Sequence, residues 1–271
     1  METMDLKKLP ELSRTMLIPL AVRAGEAARK HPVVSDAKAA EILGKLDTSG
    51  LIIDGGGIST HGILARTAVL DEEIGRLLAE RPEAAVVNLG AGLDTRFFRL
   101  DNGKVRWYEL DLPEVISLRR RLLPETERCR YLAGSVLDRE WTEKIDMREE
   151  EPVTFLAEGL LMYFPEEKVR EVLEILTGSF PNGDLFFDAV HSSFIGKRIS
   201  SDFLWGIDEV REVERLNSRV KTVACWSTGS LLKNRQPPLL RLLNRFPSTR
   251  NRSRVIHLQW REGGDGCAAV Q

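Results

Sequence analysis

From Pro82 onward, short apolar runs alternate with helical segments, and this alternation constrains the fold more than any other feature of the chain. Repeated strand and helix segments bury both faces of a sheet when the strands run mostly parallel and the helices cover each side. The runs are Ala84–Leu89, Val105–Leu110, Arg130–Ala133, Val153–Ala157, Asp184–Asp188, Arg219–Cys225 and Arg254–Trp260, which predicts seven strands. The clearest helix is Pro165–Phe180. Pro165 opens its first turn, Glu166 and Glu167 suit the N-terminal dipole, and Val169, Val172, Leu173, Leu176 and Phe180 share one face. The first eighty residues read as helices instead: Leu6–Arg29, interrupted near Pro10 and Pro19, then Asp36–Leu46 and His61–Glu80, with no strong strand. The connection DGGGIST, Asp54–Thr60, lacks the Gly-Lys-Ser/Thr ending of a phosphate-binding loop and reads as flexible. The expectation is an α/β fold: a Rossmann-like core over 81–271 and a helical extension over 1–80.

The first strand runs into NLGAGLDTR, whose Gly90 and Gly92 let the backbone approach a ligand beyond the strand end. A dinucleotide fingerprint wants a third small residue two positions on, where this chain has Asp94 and Thr95. A carboxylate there repels a pyrophosphate, but it suits a ligand with an amino group and a sulfonium, which is S-adenosylmethionine. The second strand ends in Glu109-Leu110-Asp111, about twenty residues beyond the loop, where a carboxylate can accept bonds from a ribose diol. Alternation puts Glu109 and Asp111 on one face, one to bind and the other to support. On the helix His61–Glu80, Arg66 shares a stripe with Ile63, Leu70, Ile74 and Leu77, so its guanidinium faces inward and needs an anion.

Composition narrows the partners. The chain of 271 residues has 39 Lys and Arg against 41 Asp and Glu, so its net charge of −2 gives no global attraction to nucleic acid or an anionic membrane. Lys233–Arg254 is locally basic, with seven Lys or Arg and no carboxylate, and reads as a solvated face; RNA methylation is the alternative that would use it. Cys129, Cys225 and Cys267 are few, odd in number and far apart, which fits a reducing cytoplasm without disulfides or a cysteine metal site. Lys7 and Lys8 precede an apolar run at Met16–Val22, but Pro19 interrupts it and Arg23 ends it, so it is not read as a signal peptide. No apolar stretch reaches the roughly 18 residues of a membrane span. Nothing in the sequence sets an oligomeric state.

The segments NLGAGLDTRFFRL, WYELDLPEVISLRRRLLPE, GSVLDREW and AEGLLMYFPEEKV resemble, in order and spacing, the leucine carboxyl methyltransferase family, especially its bacterial branch similar to polyketide carboxyl O-methyltransferases. The resemblance covers most of Leu17–Asp188. It implies a class I methyltransferase fold with seven strands and a helical N-terminal cover. It further implies that Gly90 lines the methionine part of S-adenosylmethionine, that Asp111 takes the ribose, and that Ser135 and Val136 flank the adenine. It implies as well that Glu158 closes the site after the fourth strand, and that Arg66 matches the arginine that pairs with the cofactor carboxylate.

Methyl transfer from a sulfonium needs alignment and exclusion of water, and a carboxylate acceptor needs no base. Tyr163 and His191 are the candidate catalytic or pocket residues; His191 alone among the histidines lies just past a strand end. If the acceptor were a hydroxyl, His191 or Asp188 would be the candidate base. No histidines have zinc-ligand spacing and no GxSxG occurs. The expected partner is a small-molecule carboxylic acid, and a cofactor-binding protein without catalysis is the remaining alternative.

Overall fold

The computed structural model describes residues 4–5, 15–47, 56–148, 151–197 and 202–262. Helices α1 (Leu17–Ala27), α2 (Ala37–Leu43) and α3 (Gly56–Glu80) precede a sheet of seven strands. These are β1 (Ala85–Leu89), β2 (Arg106–Asp111), β3 (Cys129–Ala133), β4 (Val153–Ala157), β5 (Gly183–Val190), β6 (Lys221–Ser227) and β7 (Ser253–Trp260). Helices α4 (Arg96–Leu100), α5 (Pro113–Leu122), α6 (Glu166–Ser179), α7 (Glu212–Leu216), α8 (Pro238–Leu243) and α9 (Pro247–Arg250) lie between them. The strand order is β3-β2-β1-β4-β5-β7-β6, parallel throughout except that β7 runs antiparallel to both neighbours. All seven predicted strands are present, with small shifts at their ends.

Strands β1, β4 and β5 are buried along their whole length, which is why they read as mostly apolar runs instead of alternating ones. Successive side chains divide between the two faces. Ala85, Val87 and Leu89 join Val169, Val172 and Leu176 of α6, while Ala84 and Val86 join Val69, Leu70 and Ile74 of α3 and Leu17 and Leu20 of α1. The N-terminal helices therefore share one face of the sheet with α4 and α5, whose Phe97, Ile116 and Leu122 join the same cluster.

Three predicted details differ. Gly56–Thr60 belongs to α3, so the DGGGIST segment is helical from its third residue; Asp54 and Gly55 lie outside the described residues. Without a side chain, glycine has weak helix propensity, but it does not forbid a helix that is packed over its following turns. Pro19 does not interrupt α1, because it is the third helical residue, where an intrahelical N–H bond would be absent anyway. Residues 6–14, including Pro10, lie outside the description. Helix α2 ends at Leu43, and Leu46–Asp47 instead forms a two-residue parallel bridge with Met4–Asp5. Asp36 caps α2 by accepting the Ala39 N–H at 2.9 Å.

Candidate active site

The strand order reverses direction between β1 and β4, so the loops leaving those strands diverge and open a crevice at their C-terminal ends. A cavity of about 310 Å³ occupies it, within the range of small-molecule sites. One wall is the loop after β1. Gly90 and Gly92 adopt φ of +65° and +48°, which glycine enters without steric cost. A Cβ on Gly90 would stand 2.7 Å from Cδ1 of Leu160 on the opposite side, so glycine also keeps the crevice open.

Asp111 ends β2 beside this loop. Its Oδ2 accepts the Gly92 N–H and its Oδ1 the Leu112 N–H, each at 2.7 Å. Each oxygen keeps a lone pair for a further donor. Burial raises the Asp111 carboxyl pKa, and the two N–H groups work against that rise. Ser135 and Val136, past β3, continue the wall, with the Ser135 hydroxyl accepting the Leu137 N–H at 3.1 Å. Glu158, past β4, faces Arg66 of α3. Its Oε1 accepts from Arg66 Nε at 2.9 Å and from the Thr67 hydroxyl at 3.2 Å, and its Oε2 accepts from Arg96 Nη2 at 2.5 Å. Burial alone would raise the Glu158 carboxyl; Arg96 and Arg66 outweigh it and hold the group below its ordinary range.

Beneath the glycine loop lies a layer of buried ion pairs. Arg96, with no exposed surface, donates to Asp71 at 2.6 Å, to Asp94 and to Glu158. Arg119, equally buried, approaches Glu109 at 2.9 Å and donates to the carbonyls of Gly92 and Asp94 at 2.8 and 2.9 Å. Arg23 of α1 bonds Asp36 at 2.9 Å and the Leu93 carbonyl at 3.0 Å. The loop's carbonyls are thus fastened from below by guanidinium groups, leaving its other side to the cavity. Asn88 Nδ2 joins the layers, donating to Glu109 at 2.8 Å and to Asp94 at 3.2 Å.

Most of the remaining lining is apolar: Met16 just before α1, Pro19 within it, Leu160, Met162 and Phe164 after β4, and Phe203. The Tyr163 ring meets Phe203 edge to face, centroids 5.3 Å apart. The cavity lining therefore combines bonding groups with rings and thioethers.

A strand-end crevice with a glycine loop, an acid after β2 and a second acid after β4 is a layout that comparison with known proteins can place. Residues 17–177 match the leucine carboxyl methyltransferase family. The tetracenomycin polyketide synthesis O-methyltransferase TcmP of Streptomyces glaucescens is 32% identical over 229 residues, covering 81% of this chain and 84% of that one. The chain belongs to the leucine carboxyl methyltransferase family. The S-adenosyl-L-methionine-dependent methyltransferase dpfgK of Gibberella zeae is 28% identical, covering 78% of this chain and 81% of that protein. In fold, the chain superposes on a candidate methyltransferase of Thermobifida fusca with a TM-score of 0.59 at 16% identity, covering 96% and 100% of the two chains. This family member is an S-adenosylmethionine-dependent methyltransferase.

Of the residues singled out in the sequence, Arg66, Gly90, Gly92, Asp94, Asp111, Ser135, Val136, Glu158 and Tyr163 all line the one cavity. His191 does not. It opens a short 3-10 turn after β5, its Nδ1 accepting the Ser193 N–H at 3.1 Å and its Nε2 lying 3.3 Å from Asp208. Asp94 lines the cavity, but its charge is not free. Burial alone would raise its carboxyl; Arg96, with Arg23 and Arg99 nearby, outweighs that and holds it far below the usual carboxylate range. Its first duty is to the arginine layer, which weakens the Coulomb argument drawn from the sequence. Arg66 is the reverse: it already has two carboxylates, Glu158 and Asp188 at 2.8 Å, and neither bond uses Nη2.

Sequence reasoning passed over Arg23, Asn88, Met16 and Phe203, which also line the cavity, and Arg96 and Arg119, which support it. Arg96 left one signal, since an arginine two positions after a loop aspartate is placed to neutralise it. Phe203 left none, since no local pattern ties it to Tyr163, the ring it meets forty residues earlier. No helix among the described residues is long and apolar enough to cross a membrane, and none of their His, Cys, Asp and Glu form a group suited to a metal ion.

Proposed function

We propose that this methyltransferase esterifies the carboxylate of a small, largely apolar acid of polyketide type. The observation that carries the reading is the condition of the acids lining the cavity. Asp94 is bonded to Arg96, Glu158 to Arg66 and Arg96, and Asp111 to two backbone N–H groups. Asp188, the alternative base, accepts from Arg66 at 2.8 Å and from the Gly159 N–H at 2.5 Å, and His191 lies apart. Among the described residues around the cavity, no carboxylate or imidazole is poised to take a proton, which a hydroxyl acceptor requires and an ionised carboxylate does not. The name of the Streptomyces relative, a polyketide synthesis O-methyltransferase, supports the substrate class.

S-adenosylmethionine supplies an electrophilic methyl group on a sulfonium. The chain's residues fit it: Gly90 and Gly92 would line the methionine part, Asp111 would accept from the ribose diol, and Ser135 and Val136 would flank the adenine. Arg66 Nη2 would meet the cofactor carboxylate, with Glu158 and Asp188 holding its guanidinium in place. Tyr163 and Phe203 would wall the acceptor side and exclude water; His191 has no part in this arrangement. Thr15, Met16, Pro19 and Arg23, with Arg66, support the reading of residues 1–80 as a cover over the core at 81–271. We place the reaction in the cytoplasm, on a small molecule rather than a nucleic acid.

The test is a methyl-transfer assay on matched pairs of aromatic and aliphatic acids and the phenols or alcohols of the same skeleton. Alkali-labile methyl esters from the acids alone are expected. Alkali-stable ethers alone would overturn the reading.

A further inference from the structure

The segment before β7 is built inside out. Leu239, Leu242, Leu243 and Phe246 fall at positions i, i+3, i+4 and i+7, one stripe along α8 and the turn after it, which is the pattern by which helices bury an apolar face. Here the stripe faces outward: the four side chains are 68%, 52%, 41% and 61% exposed. The inward side is polar. Asn244 and Gln236 are buried, Asn244 donating to Gln236 at 3.3 Å and Gln236 donating to the carbonyls of Gly229 and Leu231 at 2.9 and 3.0 Å. Those bonds fix which side of the segment meets the protein, so the exposure of the leucines is set by the fold.

The charge around the stripe is one-sided. From Arg215 to Arg261 the chain has eleven Lys or Arg and no Asp or Glu, whereas the rest of it carries 28 Lys or Arg against 41 Asp or Glu. Lys233, Arg241, Arg245 and Arg250 make no ion pair with a described carboxylate. An apolar stripe flanked by unpaired cations fits an anionic surface that accepts both kinds of contact. A second copy of the same face would bring like charges together. A polyanion such as RNA would use the arginines and one ring but would gain little from three leucines.

We infer that α8 and the turn through Phe246 form a docking surface for an anionic lipid bilayer, with Leu239, Leu242, Leu243 and Phe246 entering the headgroup boundary and Arg241 and Arg245 meeting lipid phosphates. The acidic remainder of the molecule is repelled by the same surface and so points away from it, which gives the bound protein one orientation. This surface is separate from the cavity and independent of the acceptor's identity.

The test is partition of the full chain onto vesicles of phosphatidylglycerol and phosphatidylcholine against vesicles of phosphatidylcholine alone. Binding is expected to rise with the anionic fraction, to fall at high salt, and to drop at least tenfold in Leu242→Glu/Phe246→Glu and in Arg241→Glu/Arg245→Glu. Because these side chains are exposed, both variants should unfold like the parent and keep its cofactor affinity. Equal binding to both vesicle types, or no loss in the leucine and phenylalanine variant, would overturn the inference. So would a dimer in sedimentation that this variant abolishes, which would assign the stripe to a second copy.

Discussion

The arginines under the glycine loop and those of the segment before β7 are the same residue in opposite circumstances. Arg23, Arg96 and Arg119 are buried, and each is matched to a carboxylate within 3 Å. Arg241 and Arg245 are exposed, in a stretch with no carboxylate at all. A buried guanidinium costs several kcal/mol of desolvation unless an anion offsets it, whereas an exposed one stays hydrated and available. Placement and pairing, more than residue type, therefore separate charges that hold a site in shape from charges that can meet something else. The contrast can be tested from both sides.

The largest effect belongs to Arg96. Replacing it with Met keeps much of the volume but leaves Asp71, Asp94 and Glu158 short of a partner at once. Breaking a buried pair this way costs about 3–5 kcal/mol. Urea unfolding should show that loss. A change below about 1 kcal/mol would mean that water or Arg99 takes over, and that the layer is not the support described here.

Asp111→Ala should weaken S-adenosylmethionine binding by about 1 kcal/mol or more, the worth of a lost charge-assisted hydrogen bond, because it removes the proposed ribose acceptor and frees the Gly92 N–H. Calorimetric titration reads this directly, and unchanged affinity removes Asp111 from the site. Arg66→Ala should lose a similar amount of affinity together with some stability, since Glu158 and Asp188 then lose a shared partner.

Much of this was legible in the sequence because β1, β4 and β5 are buried on both faces, and burial on both faces leaves a mostly apolar run that no turn or loop imitates. The cavity residues were legible for a related reason. Asp111 ends its strand, and Gly90, Ser135 and Glu158 sit one or two positions past theirs; strand ends are where a parallel sheet places its ligands. What stayed hidden was pairing. Arg96 meets Asp71 across 25 residues, and Arg66 meets Glu158 across 92, distances over which no local pattern survives. His191 misled for the converse reason: proximity to a strand end in sequence does not fix which way the chain turns after it.

Glu109 tests the buried side more finely, through pH. Burial pushes its carboxyl up to about 7 from an ordinary 4.5, against the pull of Arg119 and Asn88. A carboxyl whose folded pKa is raised favours the folded state least when ionised, so its contribution declines as pH rises from 4.5 through 7. Asp94 and Glu158, held low, behave oppositely and lose their contribution only in acid. Glu109→Gln should therefore flatten the decline in that window while leaving the acid limb in place, a change in slope on the order of 1 kcal/mol per pH unit, read from urea unfolding at several pH values. An unchanged slope would mean that Arg119 keeps Glu109 ionised throughout.

The smallest effect is the one that makes the comparison exact in kind. Arg245→Ala removes the same functional group as a substitution at Arg96, but from a side chain that is exposed and makes no ion pair with a described carboxylate. Nothing is left buried and unpaired, so stability should stay within about 0.5 kcal/mol of the parent, as at ordinary surface positions. Neutralising one cation in an acid-free stretch also relieves repulsion from its neighbours, which biases any change toward stabilisation. A loss above about 1 kcal/mol in urea unfolding would show that Arg245 is engaged after all. The segment before β7 would then belong with the arginine layer, and its cations would no longer be available to a partner.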